Sequence, residues 1–302
     1  MNISINSGTR KKKNAGHRNK RSLYHVVSGT LLILWAVIIF YPFYNALITS
    51  MVPLGVYVRQ PFMLFPPAFD FSSYMFIFNW SYLITGFRTT AIVLVLGVAY
   101  NMFLTVTMAY VLSKKIPGRT MLNVFIVFTM FFQGGMIPGF LLIQSLGLID
   151  SYFSMILPYG ISIFNLMIMR TYFQGLPPEM AEAAYIDGAS EVQILVRIYL
   201  PLSLPMIATI GLYYGVDRWN EWYSGMLYIR KLGMQPLQLL IRNMLESTNQ
   251  ISNMVPPSAR PTAFAQGIQM AGVLISMLPV ALIYPFLQRY FVKGLTLGGV
   301  KG

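Results

Sequence analysis

Long apolar runs separated by short polar stretches set the rhythm of this chain. A membrane-crossing helix needs about 20 mainly apolar residues, and six segments meet that requirement. They fall at about 25–49, 86–112, 120–144, 152–174, 200–219 and 265–290. The third contains Gln133, Gly134, Gly135 and Pro138, which predict a bend or break near its outer end. Two longer connections remain. Residues 50–85 are aromatic and proline-containing and suit an interfacial loop or short helices. Residues 220–264 are more polar, with SNMVPPSARP as their most loop-like part.

Composition agrees with the pattern. Hydrophobic residues make up 56% and charged residues 10%, far from the roughly 25% charge of soluble domains. The net charge of +13 admits nucleic-acid binding until its placement is considered. With the N-terminus placed in the cytoplasm, seven Lys and Arg fall in the N-tail and three in the 113–119 loop. Two more lie between spans four and five and three at the C-terminus, 15 of the 22 in all. The positive-inside rule then puts both termini in the cytoplasm, with residues 1–24 as a basic tail and 25–302 as the membrane domain. The tail suits a topology anchor at an anionic leaflet better than a nucleic-acid arm. The apolar run after it is too long for a signal-peptide core and is expected to be retained.

One stretch breaks the pattern. Residues 177–201 hold four of the nine acids (Glu179, Glu182, Asp187 and Glu191) and lie on the cytoplasmic side between spans four and five. Pro177 and Pro178 stop the preceding span and can start a helix. Gly188 can end that helix, and Ser190 can cap a second one. In the second, Val192, Leu195, Val196 and Tyr199 recur at helical spacing, and Pro201 marks the entry to span five. Two short helices at an angle are expected. Read from composition alone, they also suit an interfacial amphipathic element with no partner.

The spacing is more specific than that. Glu182, Ala183, Ala184, Gly188, Ile198, Leu200 and Pro201 resemble the EAA loop of bacterial ATP-binding-cassette (ABC) importer permeases at every fixed position. The strings GGMIPGFLLIQSLGLIDS, WNEWYSGMLYI, PLQLLIR and YPFLQRYFVKGLTLGGVKG extend the likeness. They resemble the maltose-type carbohydrate permeases, and within them the subgroup found with oligosaccharide- or polysaccharide-binding lipoproteins. The resemblance implies an all-α membrane protein with six transmembrane helices and a type I importer permease fold. It also implies that the seven loop residues form a coupling helix seated on a cytoplasmic ATPase. The implied partners are a homologous second permease, two ATPase copies, an extracytoplasmic lipoprotein, an oligosaccharide and lipid, in a bacterial cytoplasmic membrane. Permeases of other importer classes, such as those for amino acids or phosphate, stay open as alternatives.

Catalytic chemistry is missing from the chain. It has no cysteine and no phosphate-binding G-x-x-x-x-G-K-[ST] motif, and both histidines lie in or beside the basic tail. No catalytic or metal residue is assigned and no cofactor is expected, ATP and magnesium belonging to the partner ATPase. An ion-coupled carrier needs ionisable residues at mid-span, whereas Asp217 and Glu221 fall near the end of span five. Sugars bind through planar hydrogen-bonding groups and aromatic faces. The candidate pathway residues are therefore Gln133, Asn165, Tyr213, Tyr214, Trp219 and Asn220. For Asn165 an interhelical hydrogen bond competes with pore lining, and for Trp222 an interfacial aromatic belt is favoured.

Overall fold

The computed structural model describes residues 11–60, 63–132, 134–254 and 264–299. Gln133, most of the loop-like string and the extreme termini lie outside the described residues. Every regular element described is helical. Helix α1 (Lys11–Ser50) begins inside the basic tail, so residues 11–24 continue the first helix instead of forming a separate segment. Its apolar part, His25–Ser50, is long enough to cross a membrane. There Leu32, Trp35 and Phe40 face outward, as they must where hydrocarbon replaces water. The connection after it folds into α2 (Leu54–Arg59) and α3 (Ser72–Phe78).

Helix α4 (Leu83–Ser113) is the long unbroken second span. The segment expected as the third span is two helices, α5 (Arg119–Phe131) and α6 (Met136–Ser145), with the interruption where the glycines stand. Span four is also broken. Helix α7 (Tyr152–Ile156) and a 3₁₀ turn (Leu157–Tyr159) meet α8 (Ile163–Gln174) at 51°. Next come α9 (Pro178–Ile186), α10 (Glu191–Ile194), a π segment (Leu195–Tyr199) and α11 (Leu200–Leu202). The stretch Glu191–Leu202 meets α12 (Leu204–Trp219) at 85°. Span five thus starts after a sharp turn at Ser203, two residues beyond the proline that was expected to mark its entry. The remaining elements are α13 (Tyr223–Tyr228), a 3₁₀ turn (Leu232–Met234), α14 (Leu237–Met254) and α15 (Ala265–Gly299).

Helix α4 packs against α8 and α12, while α15 packs against α1, α3, α12 and α14. The main core joins Val106, Ala109, Leu166, Met169, Phe173 and Ile210, whose side chains are all buried. A second cluster around Ile77, Leu237, Ile241 and Ile268 sits under the amphipathic α14.

The break in span four releases backbone groups that a bilayer cannot hydrate. Arg218 on α12, only 3% exposed, supplies most of the donors. Its Nη1 donates to the Met155 carbonyl at 2.7 Å, and its Nη2 to those of Ile156 and Tyr159 at 3.2 and 2.9 Å. Its Nε donates to Asn101 Oδ1 at 3.0 Å. Asn101 Nδ2 in turn donates to the Tyr159 and Gly160 carbonyls at 2.6 and 2.8 Å. On the far side of the break, the Ser162 amide donates to the Tyr214 hydroxyl at 2.9 Å, and that hydroxyl also bonds Thr105 at 2.7 Å. Gly97 makes room for the guanidinium, because a Cβ there would lie 2.9 Å from Arg218 Nε.

Replacing Arg218 by alanine takes the donor from the Met155 and Ile156 carbonyls and leaves Tyr159 only Asn101, and a buried carbonyl without a partner costs about 1–3 kcal/mol. Arg218→Ala is expected to lower the thermal midpoint of the detergent-purified chain sharply. Gly97→Val should do the same by displacing the guanidinium. An unchanged midpoint in both would show that the break is held by other contacts.

Candidate functional site: the loop between spans four and five

Helix α9 starts with Pro177 and Pro178 and carries Glu179 in its first turn, where the helix dipole favours an acid. It ends in a Schellman pair: the Ala189 amide donates to the Ala184 carbonyl and the Gly188 amide to that of Tyr185, at 2.9 and 3.0 Å. Gly188 has φ of +77°, and an added Cβ there would meet nothing within 4 Å. Conformation, not space, is what calls for glycine here. Ser190 then forms a full capping box with Gln193: the Ser190 hydroxyl accepts from the Gln193 amide, and the Gln193 side chain accepts from the Ser190 amide.

The seven motif residues divide between two faces. Glu182, Ala183, Gly188 and Pro201 are exposed, whereas Ala184, Ile198 and Leu200 pack against the main core. Neighbouring Ala181 is buried. The small residues therefore serve both ways: Ala181 and Ala184 let α9 lie close to its own bundle, and Ala183 leaves the outer surface flat. Met180, Ile186 and Val192 stand out on that surface, with Ile186 87% exposed. The apolar stripe expected over 192–199 is split, because Val192 and Val196 point outward while Ile194 and Tyr199 are buried. The π segment adds a residue to the turn and rotates the stripe off a single face.

The candidate pathway residues are scattered. Asn165, Tyr213 and Trp219 line a cavity of about 1050 Å³ between α4, α8, α12 and α15. Tyr214 lines a second cavity of about 760 Å³, with Thr129, Tyr159, Arg218 and Glu221, and Asp217 borders both. Asn220 lines neither; its amide donates to the Val216 carbonyl at 3.0 Å and closes α12. Trp219 also ties helices together, since its Nε1 donates to the Ser276 carbonyl at 2.9 Å and its ring lies 6.2 Å from Phe87. Trp222 sits 4.2 Å from the Arg242 guanidinium. Sequence reasoning missed Arg218 altogether. Its one signal was a cation between Asp217 and Glu221 at the end of an apolar run.

The described residues form an all-helical bundle in which three helices, or up to six spans if bent pairs are counted, are long and apolar enough to cross a membrane. Residues 103–297 match the family described as binding-protein-dependent transport system inner membrane component, and the chain belongs to that family. It is 39% identical over 285 residues to the polygalacturonan/rhamnogalacturonan transport system permease protein of Bacillus subtilis (strain 168), over 94% of this chain and 100% of that one. It is 28% identical over 293 residues to the arabinooligosaccharides transport system permease protein of Halalkalibacterium halodurans, covering 94% and 100% of the two chains. Among solved structures, it is similar to a bacterial ABC transporter involved in the import of the acidic polysaccharide alginate. That likeness has a TM-score of 0.80 at 31% identity, over 90% of this chain and 98% of the other. The chain is thus the inner-membrane permease component of an ABC importer, and ATP is hydrolysed on a separate subunit.

The turn geometry makes a direct prediction. A β-branched residue at φ of +77° is strained, while asparagine tolerates that region. Gly188→Val should expose the 186–190 bond cluster to limited proteolysis in the purified chain, and Gly188→Asn should not. Equal protection of both variants would mean that the turn does not depend on its backbone conformation.

Proposed function

We propose that this permease imports oligosaccharide fragments of an acidic polysaccharide and forms half of the translocation pathway. The observation that carries the reading is the order of likeness. The relative named for polygalacturonan, a polymer of galacturonic acid, is 39% identical, and the one named for arabinooligosaccharides is 28% identical. The solved structure similar over 90% of the chain belongs to an importer of acidic alginate. In this reading a homologous permease supplies the other half of the path. Two ATPase copies engage the loops of the two permeases, and an extracytoplasmic lipoprotein delivers the sugar. Both termini and the 177–201 loop face the cytoplasm, in keeping with the placement of the basic residues.

Glu182, Ala183 and Gly188 are the surface part of the coupling site, flanked by the exposed Met180 and Ile186. Ala184, Ile198, Leu200 and Pro201 carry that surface on the bundle. ATP-driven closure of the ATPase pair brings the two loops together and turns the cavity outward, a rigid-body form of alternating access. Asn165 and Tyr213 are the pathway residues favoured by their shared cavity. Trp219 borders the same space but is also a helix tie, and the Tyr214 hydroxyl is engaged by Thr105 and Ser162.

Two experiments test the reading. In proteoliposomes holding the co-permease, ATPase and lipoprotein, trigalacturonate should accumulate with ATP and arabinotriose should not. Accumulation of arabinotriose alone would overturn the acidic assignment. Glu182→Lys should leave the chain in the membrane but abolish uptake, since a mismatched charge at a buried interface costs on the order of 2–5 kcal/mol. Normal uptake by Glu182→Lys at normal expression would place the coupling surface elsewhere.

A further inference from the structure

Between the loop and the bundle stands a polar cluster that none of the motif residues explains. The Glu191 carboxylate, at the start of α10, accepts hydrogen bonds from two tyrosine hydroxyls, one on each oxygen. Tyr110 comes from the end of α4 and Tyr185 from α9. The Lys114 ammonium, just past the end of α4, lies 3.9 Å from the same carboxylate and 3.5 Å from the Tyr185 hydroxyl. It also sits over three rings, 4.6 Å from Tyr110, 4.9 Å from Tyr199 and 5.5 Å from Tyr185. Beneath it, Tyr110, Tyr199 and Phe173 pack edge to face, with centroids 4.9, 5.4 and 6.5 Å apart.

Each contact crosses between elements. Helix α9 touches α10 through Tyr185, α10 touches α4 through Tyr110, and α4 touches the π segment and α8 through the ring stack. Bonds to an ionised carboxylate are shorter and stronger than neutral ones, and cation–π contacts strengthen when the cation is shielded from water. The Tyr185 hydroxyl is pushed up to about 12, first by its bond to Glu191 and then by burial, so it stays a donor across the physiological range. Directly after the cluster the backbone widens into the π segment and then turns by 85°. The stiff joint and the bend therefore adjoin one another.

We propose that Tyr110, Lys114, Tyr185 and Glu191 form a rigid joint that makes α9 and the cytoplasmic end of α4 move as one body. Force applied to α9 then reaches the second span directly, while the turn at Ser203 absorbs the change of direction into α12. Glu191 and its partners are positioning residues in this proposal. The proposal rests on α9 being the surface that the ATPase moves.

The chain has no cysteine, so Lys115→Cys with Asp187→Cys gives a clean spin-label pair across the joint in a full complex assembled in nanodiscs with partners whose own reactive cysteines are removed. In the otherwise native chain, the inter-label distance should be narrow and the same before and after trapping with ATP and vanadate. With Glu191→Ala the distribution should broaden and shift on trapping, and trigalacturonate carried per ATP hydrolysed should fall about tenfold. Tyr185→Phe, which deletes one exposed oxygen, should act in the same direction. Combined with Glu191→Ala it should add nothing, because both remove one joint. A native pair that changes distance on trapping would overturn the rigid joint. So would a distance and coupling ratio left unchanged by Glu191→Ala or, if that variant does not assemble, by Tyr185→Phe. A separate cross-link from Ile186→Cys to the ATPase tests the underlying reading: its absence would mean that α9 is not the moved surface, whatever the joint does.

Discussion

Arg218, in the last turn of α12, shows why this bundle can hold a broken helix. Even at the centre of a span an arginine costs only about 2.5–3.5 kcal/mol on insertion scales. Each carbonyl released by a helix break costs about 1–3 kcal/mol when it has no partner. Here one guanidinium and one amide answer the carbonyls of Met155, Ile156, Tyr159 and Gly160. Leaving the Met155 and Ile156 carbonyls without the guanidinium would cost about as much as burying that single cation. Since Asn101 is on α4 and Arg218 on α12, satisfying the break also fixes spans two, four and five against one another.

That fixed triangle gives the loop its frame. Helices α8 and α12 flank residues 175–203, so the ends of the loop are held by two of the three spans that hold the arginine. Ala181, Ala184, Ile194 and Tyr199 seat the loop on the core, and Glu182, Ala183 and Ile186 are left on the outside. The outer face is partly apolar, with Met180, Ile186 and Val192 exposed.

Three of the six expected spans are legible as single helices long and apolar enough to cross a membrane, and the other three fall on bent helix pairs. The turn at Gly188 and the cap at Ser190 were legible too, since each depends on local chemistry. The break in span four was not: Pro158 and Gly160 lie inside an apolar run that reads as continuous, and the donors that permit the break are 58 or more residues away. Arg218 was hidden for the same reason, as its partners are backbone carbonyls that no side-chain pattern reveals. Trp219 and Tyr214 have the chemistry to meet a sugar, yet their polar atoms are engaged by Ser276 and by Thr105 and Ser162. The stripe at 192–199 assumed 3.6 residues per turn, and the π segment departs from that period.

The broken spans also bear on how the protein is made. Among the described residues, α1, α4 and α15 are each long and apolar enough to cross a bilayer, whereas the segments expected as spans three, four and five are built from shorter pieces. A ribosome delivers α4, with Asn101 and Gly97 already in place, before the broken fourth span and well before Arg218. When the fifth span emerges, its charged side chain finds a finished socket of oxygen atoms instead of bare lipid. The linear order of the gene thus spares the cell from holding an unpartnered cation in hydrocarbon during synthesis. A chain permuted to begin at span five would lose that protection while keeping every contact of the finished fold.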